Sequence, residues 1–257
     1  MIVGVLQARC TSRRLPGKVL ANVCGRPMIL RQMDRLERAE RMDRIVVATT
    51  TDPSDDPLAK LCAKRGWECY RGSVDDVLDR VLQAAGKSDH IVRLTADCPL
   101  ADPELIDRVI ATHLEGGHDY TSNTVTRTYP DGLDVEVVTR AAFQTAASEA
   151  KLPSEREHVT PFLYNHPERF KIGQVTEEHD HSAMRWTVDE TADLEFVRTV
   201  YGELLPTVPE FTTEDVLELL ERRPELVQFN EHIPTNEGYD LSLQQDPTES
   251  TEAGPTA

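Results

Sequence analysis

A doubly wound α/β fold, with a mostly parallel sheet and helices on both faces, follows from three features of the 257-residue sequence. Short apolar runs alternate with amphipathic stretches of about ten residues through the first half of the chain. Those runs are continuous, as strands buried on both faces require. Gly and Pro punctuate the junctions at Pro16-Gly17, Pro27, Gly66, Gly86 and Gly116-Gly117.

Each element can be justified in turn. Ile2 to Ala8 reads as the first strand and Arg9 to Lys18 as the loop after it. Pro27 opens a helix through Ala39, with Met28, Ile29, Met33 and Leu36 on one face. Its arginines Arg35, Arg38 and Arg41 read as a wet face with interleaved acids. Arg44 to Thr50 is the second strand, Asp55 to Arg65 a helix stopped at Gly66, and Trp67 to Tyr70 the third strand. Asp75 to Ala85, His90 to Thr95 and Pro103 to Leu114 continue as helix, strand and helix. Ser73 reads as the N-cap of the first of these and Asp102 of the last. Beyond residue 118, Leu133 to Thr139, Phe170 to Val175 and Met184 to Val188 read as strands. Arg140 to Lys151, Glu155 to Asn165, Ala192 to Leu204 and Glu214 to Arg222 read as helices.

Composition narrows the function classes. The net charge is −17, which argues against broad nucleic-acid binding. Residues 1 to 44 run against that balance, with ten Arg and Lys and four acids. Residues 177 to 257 carry twenty acids and four bases, as a solvated outer surface does. No stretch approaches the ~20 apolar residues of a membrane helix. The N-terminus runs straight into a strand without signal-peptide features, so the expected location is cytoplasmic. The five cysteines form no CxxC pair and read as reduced, buried thiols. His179-Asp180-His181 reads as a solvated turn ahead of a metal site.

In a doubly wound sheet, ligands bind at the carboxyl ends of strands. The loop after the first strand holds Ala8, Arg9, Ser12, Arg13, Arg14, Gly17 and Lys18. Backbone N–H groups and a hydroxyl can donate to phosphate there while the cations neutralise it. Val19 after Gly17-Lys18 rules out a Walker A loop. Asp97 ends the fourth strand, where a carboxylate faces the ligand and suits Mg2+ beside a triphosphate; capping a turn is its other reading. Asp189 follows a strand and precedes a helix, which by itself favours an N-cap. Arg71-Gly72-Ser73 through Asp76, the segment Asp131 to Glu136 with Asp134, and Glu155 to Thr160 with Arg156 and His158 each crowd polar groups beside turns.

Taken in order, these segments resemble the spore-coat polysaccharide biosynthesis protein F family, with the CMP-Kdo and CMP-sialic acid synthetases as wider relatives. The resemblance runs through Gln7-Ala8-Arg9, Ser12, Arg14-Leu15-Pro16-Gly17-Lys18, Arg71-Gly72-Ser73, Asp76, Thr95, Asp97-Cys98-Pro99-Leu100, Tyr129-Pro130-Asp131-Gly132 and Arg156-Glu157-His158. It covers about residues 1 to 205. It implies a Rossmann-like nucleotide-diphospho-sugar transferase fold, CTP as donor, Mg2+ as cofactor, a small acidic acceptor and a homodimer. Residues 1–243 are then a single cytidylyltransferase domain, with a nucleotide-binding half (1–117) and an acceptor and dimerisation half (118–243). Residues 244–257 are expected as a disordered tail.

Residue by residue, the resemblance makes Arg9, Lys18 and Asp97 catalytic. Ala8, Ser12, Arg71, Ser73 and Asp76 join Arg9 and Lys18 around the nucleotide. Asp97 and Asp189 become metal ligands. Asp131, Asp134, Glu136, Arg156 and His158 are assigned to the acceptor. The alternatives are glycosyl transfer from a nucleotide sugar on a related fold, and a non-catalytic nucleotide-binding protein.

Overall fold

The computed structural model describes residues 1–235 and 237–247. A seven-stranded sheet forms its centre. Its strands are β1 (Ile2–Gln7), β4 (Arg44–Thr50), β5 (Glu68–Gly72), β6 (His90–Thr95), β7 (Tyr120–Ser122), β8 (Glu136–Thr139) and β9 (Ile172–Gln174). The order is β5-β4-β1-β6-β8-β7-β9. The strands β5, β4, β1 and β6 are mutually parallel, β8 runs antiparallel between β6 and β7, and β9 is parallel to β7. A two-stranded ribbon, β2 (Asn22–Val23) with β3 (Arg26–Pro27), stands apart.

Helices cover both faces. On one side pack α1 (Met28–Leu36), α4 (Pro103–Gly116), α8 (Thr191–Leu204) and α9 (Thr213–Arg222), with Leu58 and Cys62 of α2 (Asp56–Arg65). On the other pack α3 (Val77–Ala84), α5 (Arg140–Glu149), α6 (Pro153–His158) and α7 (Pro161–Tyr164). Central strands such as β1 bury residues on both faces, which is why their apolar runs are unbroken. The chain moves outward from β1 to β4 and β5, then returns to β6 on β1's other side. The carboxyl ends of β1 and β6 therefore flank a topological switch point, and Arg9 and Asp97 follow those ends.

Several expectations need correction. Arg35 is not on a wet face: it is buried, donating to the Ala101 and Phe211 carbonyls at 2.6 and 2.9 Å with its guanidinium over the Phe211 ring. Among the cysteines, Cys24 and Cys69 are exposed; Cys62 and Cys98 are buried. Residues 155 to 165 form two short helices and not one, because Val159 adopts φ +77° and Pro161 starts the second. Met184 to Val188 is not a ladder strand but a lacing segment, touching the Asp131 loop through one isolated bridge. Asp76, not Ser73, caps α3, accepting from the Asp79 N–H at 2.9 Å. Asp102 caps α4 as expected. A tenth helix, α10 (Glu237–Gln245), takes in the first two residues of the expected tail, and residues 248–257 lie outside the described residues. Among the described residues no helix is long and apolar enough to cross a membrane.

One histidine pair is expected to make the fold acid-sensitive. His113, in the last turn of α4, has one ring nitrogen 3.1 Å from the Thr121 hydroxyl and the other 3.0 Å from a ring nitrogen of His90. Burial, then the neighbouring imidazole, pushes His113 down to about 4 from 6.5. A base harder to protonate when folded contributes stability above its unfolded pKa and loses it as pH falls. The urea midpoint is therefore expected to drop between pH 6.5 and about 4, and His113→Gln to flatten that slope. An unchanged slope in the variant would show that other groups set acid stability.

Candidate active site

A cleft of about 800 Å3 opens at the switch point. The loop Arg9 to Lys18 forms part of its wall. The backbone N–H of Cys10 donates to the buried Asp55 carboxylate at 2.6 Å, and the Gly17 N–H closes the loop onto the Cys10 carbonyl at 2.8 Å. Gly17 adopts φ +73°, where a side chain is disfavoured. That turn starts a short 3-10 helix, Lys18–Leu20, and aims Lys18 inward.

Lys18 Nζ sits between the two carboxylates. It lies 3.1 Å from Asp97, 2.8 Å from Asp189 and 2.8 Å from the Val188 carbonyl. Asp97 comes from the loop after β6 and Asp189 from the turn before α8, 92 positions apart in sequence. The segment between them is laced by main-chain bonds: Val188 N–H to the Asp97 carbonyl, and Trp186 and Thr187 N–H to the Asp131 carbonyl. Burial works to raise the Asp97 carboxyl, but the Lys18 ammonium and the Thr95 hydroxyl hold it down at about 2. The same carboxylates raise Lys18 above its ordinary value against the opposing effect of burial. Both groups are charged across the neutral pH range.

The N-cap reading of Asp189 gives way to another. It is Asp193 that accepts the Asp189 and Glu190 N–H groups, each at 2.9 Å. The Asp189 carboxylate is thereby free to face the cleft, where it also meets Arg14 at 2.8 Å.

The cleft wall also carries a set of ion pairs. Arg127 grips Asp134 through two bonds at 2.6 and 2.9 Å. Arg93 pairs with Glu136, whose second oxygen accepts from Tyr120 at 2.7 Å and from Thr160. Burial, then the Asp134 charge, raises Asp131 to about 6 despite Arg127 and Arg185. His158 lies 2.9 Å from the Ser242 hydroxyl and packs its ring edge-on to Tyr239.

The structure thus brings Ala8, Arg9, Ser12, Lys18, Asp97, Asp131, Asp134, Glu136, His158 and Asp189 to one cleft. Arg71, Ser73, Asp76 and Arg156 are not on its wall. Arg71 is held by Asp56 at 2.7 Å and by the Thr50 and Asp52 carbonyls. Ser73 accepts from the Asp76 N–H at 3.0 Å, and Asp76 caps α3 and pairs with Arg156. Arg71 thus ties β5 to the start of α2, and Ser73, Asp76 and Arg156 build the start of α3 and its junction with α6.

Three wall features escaped sequence reasoning. Arg127 and Arg185 carried no local motif. The C-terminal helix α10 supplies Glu237, Gly238, Tyr239, Leu241, Ser242 and Gln245, and Glu237 reaches Arg14 at 2.8 Å. Its only sequence signal was a short polar stretch between Pro234 and Pro247 with Tyr239 and Leu241 spaced too loosely for a periodic face.

A basic loop and paired carboxylates at the switch point of such a sheet define a phosphate-handling α/β protein. Comparison with known proteins specifies it further. The cytidylyltransferase family matches residues 3–219, and the chain belongs to that family. The solved structure of a cytidylyltransferase from Leptospira borgpetersenii serovar Hardjo-bovis is 32% identical, with a TM-score of 0.84 over 88% of this chain and 96% of that one. The spore coat polysaccharide biosynthesis protein SpsF of Bacillus subtilis is 32% identical over 87% of this chain and 95% of its own length. The mitochondrial 3-deoxy-manno-octulosonate cytidylyltransferase of Arabidopsis thaliana is 30% identical over 80% of this chain and 67% of its own. The family and fold expected from the motifs are borne out.

Proposed function

We propose that this cytidylyltransferase transfers CMP from CTP to a hydroxyl of a sugar acid, with Mg2+ held by Asp97 and Asp189. The observation that carries the reading is the convergence of those two carboxylates on one cationic point, the Lys18 ammonium, at the end of the triphosphate-type loop. Two carboxylates near phosphate oxygens are the donor set that Mg2+ favours. When bound, the cation would neutralise charge on the triphosphate and its developing pyrophosphate.

The chain's own residues supply position and charge. Arg9, Arg14 and Lys18 line the cleft and would bind the β- and γ-phosphates. Ser12 and the loop N–H groups orient them. The acceptor hydroxyl attacks the α-phosphorus in line as the pyrophosphate oxygen leaves. No protein nucleophile is needed, so catalysis rests on alignment and on charge neutralisation in a partly enclosed site. The acceptor is assigned to the end lined by Asp131, Asp134, Glu136 and His158, with Arg127 added. Arg71, Ser73, Asp76 and Arg156 receive no direct ligand role. A cytoplasmic location is the one expected for this chain, and the family resemblance supports a homodimer, which light scattering reads directly.

The test is pyrophosphate release with CTP, UTP, ATP or GTP and Mg2+ against a panel of sugar acids, neutral sugars and phosphonates. CTP-selective release with a sugar acid is expected. Release only with a neutral sugar or a phosphonate would overturn the acceptor class.

A further inference from the structure

The two oxygens of Asp189 face different partners. Oδ1 meets Lys18 Nζ at 2.8 Å, and Oδ2 meets both the more exposed Arg14 at 2.8 Å and Arg185 at 3.1 Å. Arg185 is one of the most deeply buried cations of the cleft, with its side chain 3% exposed. Two of its nitrogens bond both oxygens of Asp193, at 2.9 and 3.1 Å. Asp193 is fully buried and held in turn by the Asp189 and Glu190 N–H groups and by Asn230 at 2.8 Å. A third Arg185 nitrogen reaches Asp131 at 3.3 Å and the Pro234 carbonyl at 3.5 Å. A guanidinium clamped in this way has a fixed direction, because its donors form a rigid planar fork.

We propose that Arg185 is a positioning residue for the reaction: it fixes the Asp189 carboxylate so that Oδ1 points at the cation position shared with Asp97. This rests on the reading of Asp97 and Asp189 as the metal carboxylates. It goes beyond that reading by giving a buried arginine, outside every motif, control over metal geometry. The charge of Arg185 and its geometry act in opposite directions. By Coulomb's law alone, a positive group beside a ligand carboxylate weakens cation binding, and its removal tightens it. If orientation dominates, its removal weakens binding, as loss of a residue supporting a metal ligand does, by about 10- to 100-fold. The sign of the effect therefore separates the two.

The experiment is Mn2+ binding to the CTP-loaded protein, read by electron paramagnetic resonance without acceptor. Asp97→Asn and Asp189→Asn are the reference variants, and Arg185→Gln and Arg185→Lys the test. Arg185→Gln is expected to raise the Mn2+ dissociation constant at least about tenfold. Arg185→Lys, which keeps the charge and loses the fork, is expected to weaken binding nearly as much. Should the glutamine variant fail to fold, the lysine variant decides, since it leaves Asp193 paired with a cation. Unchanged or tighter Mn2+ binding in the Arg185 variants, with the reference variants weakened, overturns this inference alone. Unchanged binding in Asp97→Asn and Asp189→Asn overturns the metal reading and this inference with it.

Discussion

Asp97→Asn is expected to cut turnover by at least about a thousandfold while leaving the fold intact. Stabilisation of charge at a transferring phosphoryl group by a bound cation is worth several kcal/mol, and ~4 kcal/mol is roughly a thousandfold in rate. An amide is a poor ligand for a hard divalent cation, so that stabilisation goes with the charge. The local structure has independent support. The Asp97 carbonyl still accepts from Val188 at 2.8 Å, and Lys18 still has Asp189 and the Val188 carbonyl, each at 2.8 Å. The measurement is single-turnover pyrophosphate release with saturating CTP, beside circular dichroism of the same sample. Native dichroism with turnover within tenfold of the parent would sink the metal role of Asp97.

Gly132→Ala is expected to be the most damaging conservative change to stability. Gly132 has φ +117°, a region closed to residues with a Cβ except at a cost of about 1–3 kcal/mol. Space is lacking as well. A Cβ there would lie 2.4 Å from the Thr187 nitrogen and 2.6 Å from the Trp186 carbonyl carbon, so the main chain itself must move. Overpacking of this kind adds about 1–3 kcal/mol. The combined loss of about 3 kcal/mol corresponds to a fall in Tm of roughly 6–12 °C for a chain of this size. The displaced segment carries Arg185 and leads to Asp189, so turnover is expected to fall even where the protein remains folded. A calorimetric Tm within about 2 °C of the parent would show that the loop shifts without strain.

The main strands and helices of the first 117 residues, and the cap at Asp102, were legible because their signals are local, whereas the short β2–β3 ribbon and the cap of α3 were not. Continuous apolar runs, a Pro at a helix start and a Gly past its end each act within a turn or two of chain. Departures arise where a distant segment competes. Arg35 has the spacing of a surface arginine, but the carbonyls of Ala101 and Phe211 capture it. Met184 to Val188 has the composition of a strand, but its N–H groups go to the His181, Asp131 and Asp97 carbonyls in place of a ladder. The polar α10 owes its position to partners far upstream, Arg14, Glu157 and His158.

By itself the sequence determined the mostly parallel α/β class and the phosphate-type loop, because each follows from residue type and near neighbours, while the candidate carboxylates were named through the family resemblance. Tertiary structure decided which carboxylates converge, which cations are already engaged and which helix walls the cleft. Asp97 and Asp189 meet on Lys18 only because main-chain bonds draw the segment before α8 against the loop after β6. Arg71 and Arg156 leave the site because nearby Asp56 and Asp76 claim them first. Pairings of this kind depend on distances that close only when the chain folds, and no local pattern encodes them.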